Sequence, residues 1–281
     1  MRNRTSLGLA FTLLLVMAAG ISAQKLKAEE IIAKHLDSIA PVEKRGAMKS
    51  FIAVGEVHVE YISQKNQPAN GRMVIASEGS KLFWGMSLNA SDYPQEKIIF
   101  NGKNTGVATV RSGQRSVLGN FIQSNNSIVS QGILGGALTT AWALLAPEGQ
   151  RAKISLAGTK KIDGKDAYAL SIAPKGAGDL DITLYFDQET FRHVRTEYKR
   201  TSSAGVGRTI DDSARQSETR IKVTEDFSDF KDYKGLMMPN KYKLLYTITG
   251  ANGTTEISWT ANLSEFALDQ ALDAATFDIG K

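Results

Sequence analysis

The chain has no cysteine. That excludes a disulfide framework, thiol catalysis and thiolate metal sites, and it leaves no thiol to carry a lipid anchor. Histidine is scarce too. His35, His58 and His193 are the full set, and no two stand at the spacing of a metal-binding motif. There is no G-x-S-x-G elbow, no Walker loop and no calcium-binding loop. Gly132-Ile133-Leu134-Gly135-Gly136 is glycine-rich but lacks the Lys and Ser/Thr that a phosphate cradle uses. Basic residues are scattered rather than clustered, although the formal charge is +5, and that argues against nucleic acid as a partner. The reading is a non-enzyme with no cofactor and no metal. Beyond the N-terminus no apolar run reaches the length of about 20 residues that spans a bilayer. Ser127 to Leu145 comes nearest, and glycines and polar residues interrupt it.

The N-terminus carries a targeting signal. Arg2 and Arg4 form a basic segment, Leu7 to Ala19 an apolar one, and Ile21-Ser22-Ala23 puts small residues before a cut near Ala23. Residues 1–23 are therefore expected to be a signal peptide and residues 24–281 a single domain. The expected location is the periplasm, as a soluble protein with no transmembrane span after cleavage.

Ala28 to Ile39 has the spacing of an amphipathic helix, with Ile32, Leu36 and Ile39 on one face. Strand alternation follows. Val57, Val59 and Tyr61 alternate with polar neighbours, as do Leu82, Trp84, Met86 and Leu88. In Asp179 to Asp187 the apolar set is Leu180, Ile182, Leu184 and Phe186. Tyr242, Leu244, Tyr246 and Ile248 form another, and Ile257, Trp259, Ala261 and Leu263 the last. Asn101-Gly102, Asp163-Gly164 and Asn252-Gly253 mark hairpin turns. Gln114 to Leu145 breaks the series and is expected to be helical, ending at Pro147. The stretch Thr201 to Ser217 is a polar loop or hairpin tip. The fold class is mainly β (α+β). About ten to eleven strands in one antiparallel sheet would curl into an open or half-closed barrel. The helices then plug the concave side.

These features resemble the half-barrel lipoprotein-carrier superfamily of LolA and LolB, and the outer-membrane lipoprotein-sorting-like proteins related to it. The resembling segments are AEEIIAKHLDSIA, FIAVGEVHVEY, GILGGALTTAWALL, KKIDGKDAYALSI, LDITLYFDQETF and EDFSDFKDYKGLMMPNKYKL. The resemblance implies a carrier whose concave cavity holds a lipid, lipoprotein acyl chains or another apolar ligand. The cargo would be a lipid or an acylated protein, and an envelope protein would be a second partner. Residues expected to line the cavity are Trp84, Met86, Ile133, Leu134, Leu138, Trp142, Leu184, Phe186, Tyr246 and Trp259. The alternative is a non-catalytic envelope interaction or sensor module with a filled core.

Overall fold

Two meanders meet in the middle of one sheet. The computed structural model describes residues 26–146, 152–176, 178–203 and 218–280. The expected signal segment, Pro147 and most of the Thr201 to Ser217 stretch lie outside the described residues. The first meander runs β1 (Ser50–Tyr61), β2 (Ala69–Glu78), β3 (Lys81–Leu88), β4 (Gln95–Phe100) and β5 (Thr105–Val107). The second runs β6 (Lys153–Ile162), β7 (Lys165–Ala173), β8 (Asp181–Asp187) and β9 (His193–Ser202). It ends with β10 (Thr219–Tyr233), β11 (Leu236–Gly250) and β12 (Gly253–Leu268). β1 pairs antiparallel with β12, which joins the two halves. The order is β5-β4-β3-β2-β1-β12-β11-β10-β9-β8-β7-β6, so twelve strands form one sheet whose free edges are β5 and β6. The expectation of an open, curled antiparallel sheet holds. The strand count exceeds it: β2, which pairs between β1 and β3, was not among the expected strands.

This topology dictates where the interrupting segment goes. The chain leaves β5 at one free edge and must enter β6 at the other. Residues 108–146 therefore lie across the inner face, and their apolar side chains fill it. Curling is helped by irregularities in the ladders at Val54/Gly55 and Leu156/Gly158. At Gly55 a Cβ would lie 2.1 Å from the Asn262 carbonyl oxygen, so only glycine permits that approach.

α1 (Ala28–Ile39) packs on the same face. Glu30 caps it by accepting from the Lys27 backbone N–H at 2.7 Å. Its buried stripe is Ile31, Ile32, His35 and Ile39, while Leu36 is only partly covered. His35 thus faces inward more fully than Leu36, the residue that the spacing put in the stripe. α2 (Val42–Ala47) is short and follows directly.

The expected helix over Gln114 to Leu145 does not form as one rod. α3 (Val117–Ser124) and α4 (Ser127–Ser130) are helical, and 3₁₀ turns cover Gly136–Leu138 and Ala143–Leu145. Three glycines break it. Gly132, Gly135 and Gly136 have φ of 68°, 80° and 50°, the left-handed region. At Gly132 the chain folds back so closely that a Cβ would stand 1.7 Å from the Ala141 carbonyl oxygen. The fold-back is closed by Ala143 N–H donating to the Gly132 carbonyl at 2.9 Å.

Candidate functional site

The plug is residues 127–145, and its side chains point into the curl of the sheet. Ile128, Val129, Ile133, Leu134, Leu138, Trp142 and Leu144 are all buried. They join Trp84 and Met86 from β3, Leu184 and Phe186 from β8, Tyr246 from β11 and Trp259 from β12 in one continuous core. Every residue expected to line the hollow is therefore brought into a single cluster, none of them more than 5% exposed. They fill the space between them. Among the described residues a small cavity of about 10 Å³ borders the plug at Ala137, beside His35 and His193, and of the expected lining residues Trp259 borders a larger one.

Two buried polar contacts fasten the plug. Glu225 projects inward from β10, between Val223 and Phe227 in the alternation. Its carboxylate accepts from the Gly135 backbone N–H at 2.8 Å, from the Tyr242 hydroxyl at 2.6 Å and from the Tyr198 hydroxyl at 2.5 Å. Burial pushes the Glu225 carboxyl up to about 6, and the three donors oppose that rise. Burial and the neighbouring carboxylate raise both tyrosines well above their ordinary range, so they stay protonated and keep donating.

The second fastening is His35. Trp142 Nε1–H donates to His35 Nε2 at 3.2 Å, and His35 Nδ1 stands 3.1 Å from the Phe191 carbonyl. A carbonyl only accepts, so the proton sits on Nδ1 and Nε2 is free to receive the indole. Burial lowers His35 to about 4 and keeps it neutral. His193 lies beneath, stacked on Trp142 with ring centroids 5.0 Å apart and planes at 22°. It is likewise held neutral, well below its usual range, by burial and by His35.

Where the chain enters α3 there is a cavity of about 280 Å³. Tyr61, Tyr93, Ile257 and Trp259 form its floor, Val110 and Val117 one wall, and Arg111 and Arg115 its rim. The floor is tied by a polar chain. Trp259 Nε1–H donates to the Tyr93 hydroxyl at 3.1 Å, which donates to Glu96 Oε2 at 2.6 Å. Ser116, the N-cap of α3, also donates to Glu96. Burial raises the Glu96 carboxyl, opposed by these two hydroxyls.

Sequence reasoning picked out apolar residues that meet in one core cluster and missed the fastenings. For Glu225 a signal exists, since a carboxylate in the series Ile221, Val223, Glu225, Phe227 breaks an otherwise apolar face. For His35 the stripe position was the signal. Among the described residues no group of His, Asp and Glu side chains converges to hold a metal. Among them no helix is long and apolar enough to cross a membrane.

No family model and no curated protein matches the sequence. Solved structures similar to the chain include a LolA superfamily protein from Nitrosomonas europaea, at 16% identity and TM-score 0.48, covering 90% of this chain and 98% of that one. A domain described as outer membrane lipoprotein-sorting from Vibrio parahaemolyticus is similar at 14% identity and TM-score 0.41, over 88% of this chain and 97% of that one. A DUF1329 family protein from Desulfovibrio piger is similar at 11% identity and TM-score 0.44, over 89% and 96% respectively. The likeness is one of fold alone.

Proposed function

We propose that the protein is a non-catalytic binding or carrier protein of the periplasm, and that its plug is an exchangeable lining. The ligand is the apolar part of a lipid or of an acylated protein. One observation carries the reading: the segment filling the curl is apolar but not a continuous helix, and buried polar contacts from Glu225 and His35 hold it. Such a segment can leave without unzipping a strand, because none of its residues belongs to the sheet. An acyl chain that replaces it gains about 0.8 kcal/mol per buried methylene, which offsets part of the loss of the plug's own contacts. The cavity beside α3, with its aromatic floor, is the entry point this reading favours.

The test is native mass spectrometry and solvent extraction of protein purified without detergent. The expected result is a co-purifying lipid, or saturable uptake of a fluorescent fatty acid that quenches with Trp142 and Trp259. Absence of both would overturn the reading. The second reading, an envelope interaction module, is favoured by the filling of the core by the very residues expected to line a hollow. It predicts a tight, ligand-free interior.

A further inference from the structure

On the outer face, three lysines from three strands converge on one buried carboxylate. Glu197 of β9 is only 1% exposed. Lys199 Nζ stands 2.7 Å from it, Lys160 Nζ of β6 3.1 Å and Lys222 Nζ of β10 3.4 Å. The Tyr185 hydroxyl of β8 donates to it at 3.0 Å, and Lys160 Nζ also lies 5.2 Å from that ring. Lys160 reaches Glu197 across the two intervening strands. The small residues Ala167 and Ala169 on β7 leave room for its stem.

The charges do not balance. One carboxylate faces three ammonium groups, which leaves an excess of two positive charges. Among the described residues no second carboxylate comes within 4.0 Å of these lysines. Asp181 stands opposite Lys199 in the β8–β9 ladder but is not ion-paired to it. Lys199 and Lys222 are themselves directly opposed in the β9–β10 ladder, an arrangement that costs a sheet stability. Glu197 is held down to about 2 by the lysines, against the effect of burial, so the cluster stays charged. The lysine side chains remain between 43% and 48% exposed, and each ammonium carries three donors. In the sequence these lysines are scattered. The sheet gathers them.

We infer that this face docks the protein on an anionic bilayer surface, with Lys160, Lys199 and Lys222 meeting lipid phosphate groups. The face is the outside of a curled sheet and its lysines are half-exposed, so it presents charge outward to an extended polyanion rather than enclosing a small ion. Flexible ammonium groups suit headgroups whose positions vary, where a fixed phosphate would call for the arginine fork. Juxtamembrane lysines act in this additive way, each worth about fivefold in partitioning. The inference stands independently of what the plug side binds.

The test is sedimentation of the full mature chain with vesicles of phosphatidylcholine, alone or with about one part in three of phosphatidylglycerol. Binding is expected only with phosphatidylglycerol, and it should weaken severalfold from about 0.05 M to about 0.3 M salt. The triple variant K160Q/K199Q/K222Q should lose more than about tenfold of that binding. K44Q/K49Q/K103Q, which removes equal charge elsewhere, should keep it. If the triple variant fails to fold, K222Q alone should lose about fivefold. Equal loss in both triple variants, equal binding to pure phosphatidylcholine, or competition by millimolar inorganic phosphate with no vesicle binding would each overturn the proposal. Fatty-acid uptake by the triple variant should match the parent, which separates this result from the carrier reading.

Discussion

Trp142 hands its indole N–H to His35 Nε2 at 3.2 Å, and this ties the plug to α1 through an acceptor that exists only while His35 is neutral. The two residues are 107 positions apart. Protonation would turn the acceptor into a donor facing a donor, next to His193, which is also buried.

The first prediction is a pH dependence. His35 has an ordinary value of 6.5 and is lowered to about 4 in the fold. Between those values the unfolded chain binds the proton and the folded chain does not, so stability falls as pH drops from 6.5 towards 4. The loss attributable to His35 is on the order of 3 kcal/mol. Glu225, raised from 4.5 to about 6, works the other way, and its share of stability is lost as pH rises through about 6. Because burial also lowers His193, the histidines should dominate, and the melting temperature should fall on acidification. In His35→Gln the fall should be visibly shallower. A parallel pH profile for the variant would contradict the assignment.

Trp142→Phe keeps the ring stacked on His193 and removes the donor. His35 Nε2 is then buried without a partner, at a cost of about 1–3 kcal/mol. Urea unfolding should report that loss. Hydrogen exchange should show faster exchange in residues 127–145 than in the β8–β9 and β10–β11 ladders.

Glu225→Ala leaves the Tyr198 and Tyr242 hydroxyls and the Gly135 N–H without their shared acceptor. The expected destabilisation is about 3 kcal/mol or more. The double change Glu225→Ala with Tyr198→Phe should cost less than the sum of the two single changes. Simple additivity, read from denaturant melts, would argue against a shared network.

Gly132→Ala tests the fold-back of the plug. The residue sits at φ 68° with the Ala141 carbonyl where the Cβ must go. The substitution should cost several kcal/mol and expose Trp142 to a fluorescence quencher. Gly79→Ala, also at positive φ but with open space around it, should cost about 1 kcal/mol.

The sheet was legible because a period of two survives translation into structure. Leu184 and Phe186 point inward and Tyr185 outward, and Asp163-Gly164 turns with φ of 49° and 85° as a two-residue hairpin requires. The plug was legible in composition but not in shape. Its apolar residues suit a helix, while three left-handed glycines, whose effect depends on what they fold against, prevent one. The fastenings were not legible as contacts. His35–Trp142 and Glu225–Gly135 span 107 and 90 positions, and no local spacing encodes such pairs. The three lysines around Glu197 were hidden for the same reason, since they belong to separate strands.

The central claim is that the plug must move for ligand to enter, and the cysteine-free chain allows a clean test. Thr140 N–H donates to Ser77 Oγ at 2.8 Å, so a cysteine pair S77C/T140C can join the plug to β2. Uptake of a fluorescent fatty acid is then measured in the oxidised and the reduced protein. The account predicts that the oxidised form loses about tenfold or more in apparent affinity and that reduction restores it. Equal uptake in the two forms would contradict it.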